Sequence, residues 1–151
     1  MEMSNLSGIE VFSEGEWKGD KYTGADLDEL VENFAKTKDK LKPYVKLGHG
    51  DKQVLLERDG LPAAGWITNL YREGKKLLAD ISGVPKIIAD IIRSGGYRRV
   101  SSEILVKPKV EGTRYSKVLK AVAFLGGETP AVTNLKDIAA LGYSVSEDKS
   151  N

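Results

Sequence analysis

The stretch "WITNLYREGKKLLADIS" (residues 66–82) constrains the fold more than any other part of the chain. Two apolar-alternating runs, Trp66–Tyr71 and Leu77–Ile81, flank a turn at Arg72–Lys75, the signature of a β-hairpin. A hairpin pairs its strands antiparallel without a crossover helix. The same pattern recurs: apolar runs at Tyr97–Val106 and Tyr115–Leu125 are joined by "KPKVEGTR", and "GIEVFSEGEW" opens as a first strand running into a turn. "PYVKLGHGD" (Pro43–Asp51) reads as a short strand entering a glycine-flanked loop.

Helical signals are fewer and clearly bounded. Thr23 with Asp26 forms a capping box ahead of Leu27, Leu30, Val31 and Phe34, which fall on one helical face. Pro85 starts a second helix whose buried face is Ile87, Ile88, Ile91 and Ile92, and Gly95-Gly96 stop it. Asn134 and Asp137 predict a short last helix through Leu141. About six strands and three helices, without βαβ alternation, predict an α+β fold. Its centre is expected to be a mostly antiparallel β-barrel or strongly curved sheet with the helices outside. Residues 1–143 are expected to form one domain and 144–151, ending "SVSEDKSN", a disordered polar tail.

Composition narrows the chemistry. The 23 basic and 22 acidic residues balance to a net charge of +1, without the basic excess of a dedicated nucleic-acid binder. No apolar run approaches the ~18 residues of a membrane span, and "MEMSNLSG" lacks the basic start and apolar core of a signal peptide. A cytoplasmic location is therefore expected. With no cysteine and one histidine, thiolate catalysis and Cys- or His-rich metal sites are excluded, and no cofactor is expected.

The remaining chemistry centres on His49 and on the serine pair in "GGYRRVSSEI". A serine hydroxyl becomes a nucleophile when a base takes its proton, and a third group orients that base. Side chains alternate along a strand, so Ser101 and Ser102 face opposite sides. Ser102 shares its face with Val100 and Ile104, and Ser101 shares its face with Arg99 and Glu103, where a substrate can reach it. Glu103, Glu128 and Asp51 are all candidates to orient His49, and spacing does not choose among them. Arg98, Arg99 or backbone N–H groups near Gly95-Gly96 are candidate oxyanion donors.

The order of "P-x-V-K-L-G-H", "PAAGWITNL", "GGYRRVSSEI" and "VLKAVAFLGGETPAV" resembles the tailed-phage head-maturation (prohead) proteases, in particular the Mu-like phage protease and scaffold family. The likeness runs from about Ile9 to Leu141. By it, Ser101 matches the family nucleophile, His49 its base and Glu103 its frequent acid, with Glu128 an alternative third member. Ser102 stands where the family often has proline, and Pro130-Ala131 match its terminal "PA". The resemblance implies the fold of herpesvirus assemblin and a serine endopeptidase acting in the assembling prohead in the host cytoplasm. Its expected substrates are the scaffolding protein, itself and the major capsid protein; neither nucleic acid nor membrane is an expected partner, and self-association is left open. Family members often carry a helical, charged scaffolding segment after the protease, and this chain stops at Asn151. The alternative reading is a catalytically silent capsid-assembly module with the same fold.

Overall fold

A computed structural model describes residues 2–50, 52–58, 60–127, 130–138 and 145–149. A long first strand, β1 (Glu2–Ser13), leads into a small hairpin, β2 (Gly15–Trp17) and β3 (Asp20–Tyr22). Lys18 and Gly19 both take positive φ at its tip, the backbone twist that two-residue hairpins favour. Helix α1 (Gly24–Leu41) follows, with the expected capping box: the Asp26 N–H donates to the Thr23 hydroxyl, and the Thr23 N–H donates back to the Asp26 carboxylate. Its buried face carries Leu27, Leu30 and Phe34, and it ends where Lys42 adopts a left-handed conformation ahead of Pro43.

Strand β4 (Tyr44–Leu47) enters the His49 loop, which is followed by a five-residue helix, α2 (Val54–Arg58). The hairpin expected first of all is present as β5 (Gly65–Glu73) and β6 (Lys76–Pro85), turning at Gly74-Lys75. Helix α3 (Lys86–Arg93) buries Ile88, Ala89 and Ile92. Ile87, expected on that face, is exposed, and Ile91 is only partly covered. Strand β7 (Arg99–Val106) carries both serines. A small hairpin, β8 (Lys109–Val110) and β9 (Thr113–Arg114), joins it to β10 (Lys117–Leu125).

A last strand, β11 (Val145–Lys149), joins the main sheet, whose order is β11-β1-β6-β5-β4-β10-β7. Its pairs are antiparallel except β4 with β10, which run parallel. The fold is thus α+β with a large, mainly antiparallel sheet, as expected, but the sheet is not closed into a barrel. Across the gap between β7 and β1 the links are made outside the strand ladder. The Ser102 hydroxyl donates to the Val11 carbonyl at 2.7 Å. The segment 130–138 fills the rest: Lys136 N–H donates to the Glu10 carboxylate, Asn134 to the Ser13 hydroxyl, and Ile138 N–H to the Arg98 carbonyl.

Two terminal expectations are corrected. Within the tail expected to be disordered, β11 (Val145–Lys149) pairs antiparallel with the first residues of β1, whose ladder edge would otherwise be open there. Residues 134–138 are not helical; the rest of the expected last helix, 139–141, lies outside the described residues. Among the described residues no helix is long and apolar enough to cross a membrane.

Candidate active site

The register of three neighbouring strands sets the site. Ser101 stands opposite Ala123 of β10, and Ala123 stands opposite Lys46 of β4, so the three side chains form a row on one sheet face. Glu103, two residues along β7, lies on that face too. On the other face the corresponding row is Ser102, Val122 and Val45, continuous with the apolar core. The two serines therefore point to opposite faces, as alternation along the strand predicts, but Ser102 is only partly buried and lines the same groove as Ser101. The polar face is nonetheless well covered at this point, and Ser101 is only 8% exposed.

His49 is delivered by a tightly held loop. Gly48 takes a left-handed φ of 68°, open to glycine at no steric cost, and its N–H donates to the Phe124 carbonyl. Gln53 clamps the loop from the other side, accepting from Leu47 N–H and donating to the Leu47 and Gly50 carbonyls. The imidazole Nδ1 lies 2.7 Å from Glu103 Oε2. Lys46 Nζ lies 3.3 Å from the same carboxylate oxygen and donates to the His49 carbonyl at 3.0 Å.

Electrostatics fixes the proton on this pair. Burial pushes the Glu103 carboxyl up, but hydrogen bonds from His49 and Lys46, together with the Lys46 charge, outweigh it and hold the group below its ordinary value. An ionised carboxylate only accepts, so Nδ1 carries the proton and Nε2 is left as the basic nitrogen. Such an imidazole is oriented to take a proton from a neighbouring hydroxyl.

His49, Ser101 and Ser102 line one groove, walled on its far side by Phe12, Trp17 and Tyr22. Phe12 and Tyr22 meet edge to face with ring centroids 4.8 Å apart, and the Trp17 indole N–H donates to the Ser13 carbonyl, which fixes that wall. No hydrogen bond joins Ser101 to His49 among the described residues. Ser102 is committed elsewhere, through its bond to Val11.

The four site residues expected from sequence thus divide clearly. His49 and Glu103 are brought into direct contact, Ser101 shares their groove, and Glu128, like Asp51, lies outside the described residues. Among the oxyanion candidates, the N–H groups of Gly95 and Gly96 cap α3 on the Ile92 and Ile91 carbonyls. Arg98 turns back to the Gly95 carbonyl, whereas Arg99 lines a neighbouring cavity with Pro130, Thr133 and Lys136. Lys46 and Gln53 were missed. The one available signal was a lysine inside the apolar strand "YVKL". No family model matches the chain, and no curated protein matches it in sequence.

Proposed function

We propose that the chain is a serine endopeptidase of phage capsid maturation, with Ser101 as nucleophile and His49 as base. The observation that carries this reading is the His49–Glu103 contact at 2.7 Å, made in a groove that Ser101 also lines. Ser101 Oγ attacks a peptide carbonyl while His49 Nε2 takes its proton. The C–N bond then breaks as the amine receives that proton, and water releases the acyl group by the same proton path. Glu103 keeps the ring in one tautomer and balances the imidazolium charge.

A peptide substrate suits the surroundings. Strand β7 ends the sheet, with β10 as its one strand partner among the described residues, and its Ser101, Ser102 and Ile104 line the groove. Extended peptides bind such edges through main-chain hydrogen bonds. The large, mainly antiparallel sheet with α1 and α3 is compatible with an assemblin-like fold. On that reading the substrates are scaffolding protein, the chain itself and capsid protein, met inside the assembling prohead.

The test is incubation with a phage scaffolding protein and, separately, with a fluorophosphonate, followed by intact mass and peptide mapping. Cleavage and a phosphonyl adduct on Ser101 are expected, both lost in Ser101→Ala and His49→Ala and both kept in Ser102→Ala. A second reading is favoured by one observation, that no hydrogen bond joins Ser101 to His49. It is a silent assembly module that binds scaffold or capsid protein. Scaffold binding without cleavage or labelling would select it. Catalytic hydrogen bonds often tighten only in the substrate complex, which keeps the protease reading in front.

A further inference from the structure

Lys46 is a buried cation at a place where the fold does not need one. Its side chain is 9% exposed, on a strand whose neighbours Val45 and Ala123 are fully buried. Desolvating an ammonium costs several kcal/mol, and a well-packed apolar residue in its place is often neutral or stabilising. The small side chain of Ala123, next in the row, leaves the lysine a path across β10 toward Glu103 on β7. There its ammonium completes a ring of three contacts: Lys46 Nζ to the His49 carbonyl, Lys46 Nζ to Glu103 Oε2, and Glu103 Oε2 to His49 Nδ1. Lys18 and Asp20, from the β2–β3 hairpin, are the other charged residues lining the groove that His49 lines.

We propose that Lys46 is a positioning residue of this site, which locks the His49 loop and the Glu103 carboxylate together so that the imidazole is held in its Nδ1–H form with Nε2 as the base. The catalytic half of this inference rests on the protease reading; the half that concerns the ring does not. Lys46 touches no substrate in this role, so its loss lowers turnover and leaves substrate binding alone. Groups that orient a working side chain in this way are typically worth about 10- to 100-fold.

The histidine is unique in the sequence, so its ring nitrogens and carbon-bound protons give unambiguous NMR signals. The experiment compares the full chain with Lys46→Met, checked for folding by circular dichroism, through ¹⁵N-detected ring spectra and cleavage kinetics. The unsubstituted ring is expected in the Nδ1–H form, and Lys46→Met is expected to show a mixture of tautomers. Turnover falls about 10- to 100-fold with KM unchanged within about twofold. Unaltered ring spectra together with unaltered kcat in a folded Lys46→Met overturn the proposal. If the unsubstituted chain cuts nothing while the tautomer still shifts in the variant, the role of Lys46 in holding the ring stands and the protease reading falls. If Lys46→Met does not fold, Lys46→Gln, which keeps a neutral donor, is read by the same criteria.

Discussion

Two carboxylate–lysine pairs, one at the start of α1 and one in the groove, use the same chemistry to different ends. Asp26 and Lys117 meet at 2.9 Å, and Glu103 and Lys46 at 3.3 Å. Their carboxylates are covered to a similar degree, 20% and 22% exposed. Both acids are held below their ordinary values. For Asp26 the largest cause is the Thr23 N–H, followed by Lys117; for Glu103, burial opposes the shift and the bonds from His49 and Lys46 prevail. The difference lies in where each network ends. Asp26 spends its remaining acceptors on the backbone and hydroxyl of Thr23, and Lys117 lies over the Tyr22 ring. That network closes on a backbone N–H, a hydroxyl and an aromatic face. Glu103 gives one oxygen to both Lys46 and a histidine whose side chain is 41% exposed in a groove. An ion pair becomes chemically useful when its last member can exchange a proton with the outside.

The comparison can be broken most severely through catalysis. His49→Ala is expected to reduce scaffold cleavage by at least about 10³-fold, since base and nucleophile act as a unit. Glu103→Gln is expected to lower kcat by roughly 10²- to 10⁴-fold, through loss of the ring's orientation. Asp26→Asn, made in the same assay, should leave kcat unchanged. A comparable loss in both variants would mean that the two networks do not differ in kind.

Stability gives the next effects. Thr23→Ala removes the cap and is expected to cost about 1 kcal/mol in urea unfolding, with cleavage retained. Ser102→Ala breaks the side-chain link from β7 to β1 and is expected to cost about 1 kcal/mol, again without loss of activity. The smallest effect is the pH dependence that the two acids share. Each is depressed in the folded state, so its stabilisation is fully present above the ordinary carboxylate value and fades as pH falls through the lower folded value. The stability advantage of the unsubstituted chain over Glu103→Gln is therefore expected to shrink on acidification below about pH 4. An advantage that instead grew as pH fell below about 4 would contradict the depressed titration of Glu103.

What the sequence made legible follows from how local each signal is. The β5–β6 hairpin and the Thr23 capping box depend on residues a few positions apart, and both are present as expected. Helix α2 and the β8–β9 hairpin are too short to carry a periodicity that a sequence pattern could reveal. The parallel pairing of β4 with β10 joins strands about seventy residues apart, which no local pattern encodes. That pairing decides the site. It brings Lys46 and the His49 loop beside β7, and with them the choice of Glu103 as the partner of His49. The faces of Ser101 and Ser102 were legible because alternation is local; the burial of Ser101 was not, because the elements that cover it lie far away in sequence.

The wall formed by residues 130–138 has a consequence for synthesis. It follows β7 and β10 in the chain, and Ala131 and Val132 line the groove beside Ser101 and His49. Chains emerge from the ribosome N-terminus first, at about 5–20 residues per second. A nascent chain therefore exposes its serine and histidine strands for seconds before the last side of the groove exists. Residues 131 and 132 follow every other residue that lines the groove, so the groove is incomplete until that segment has been translated.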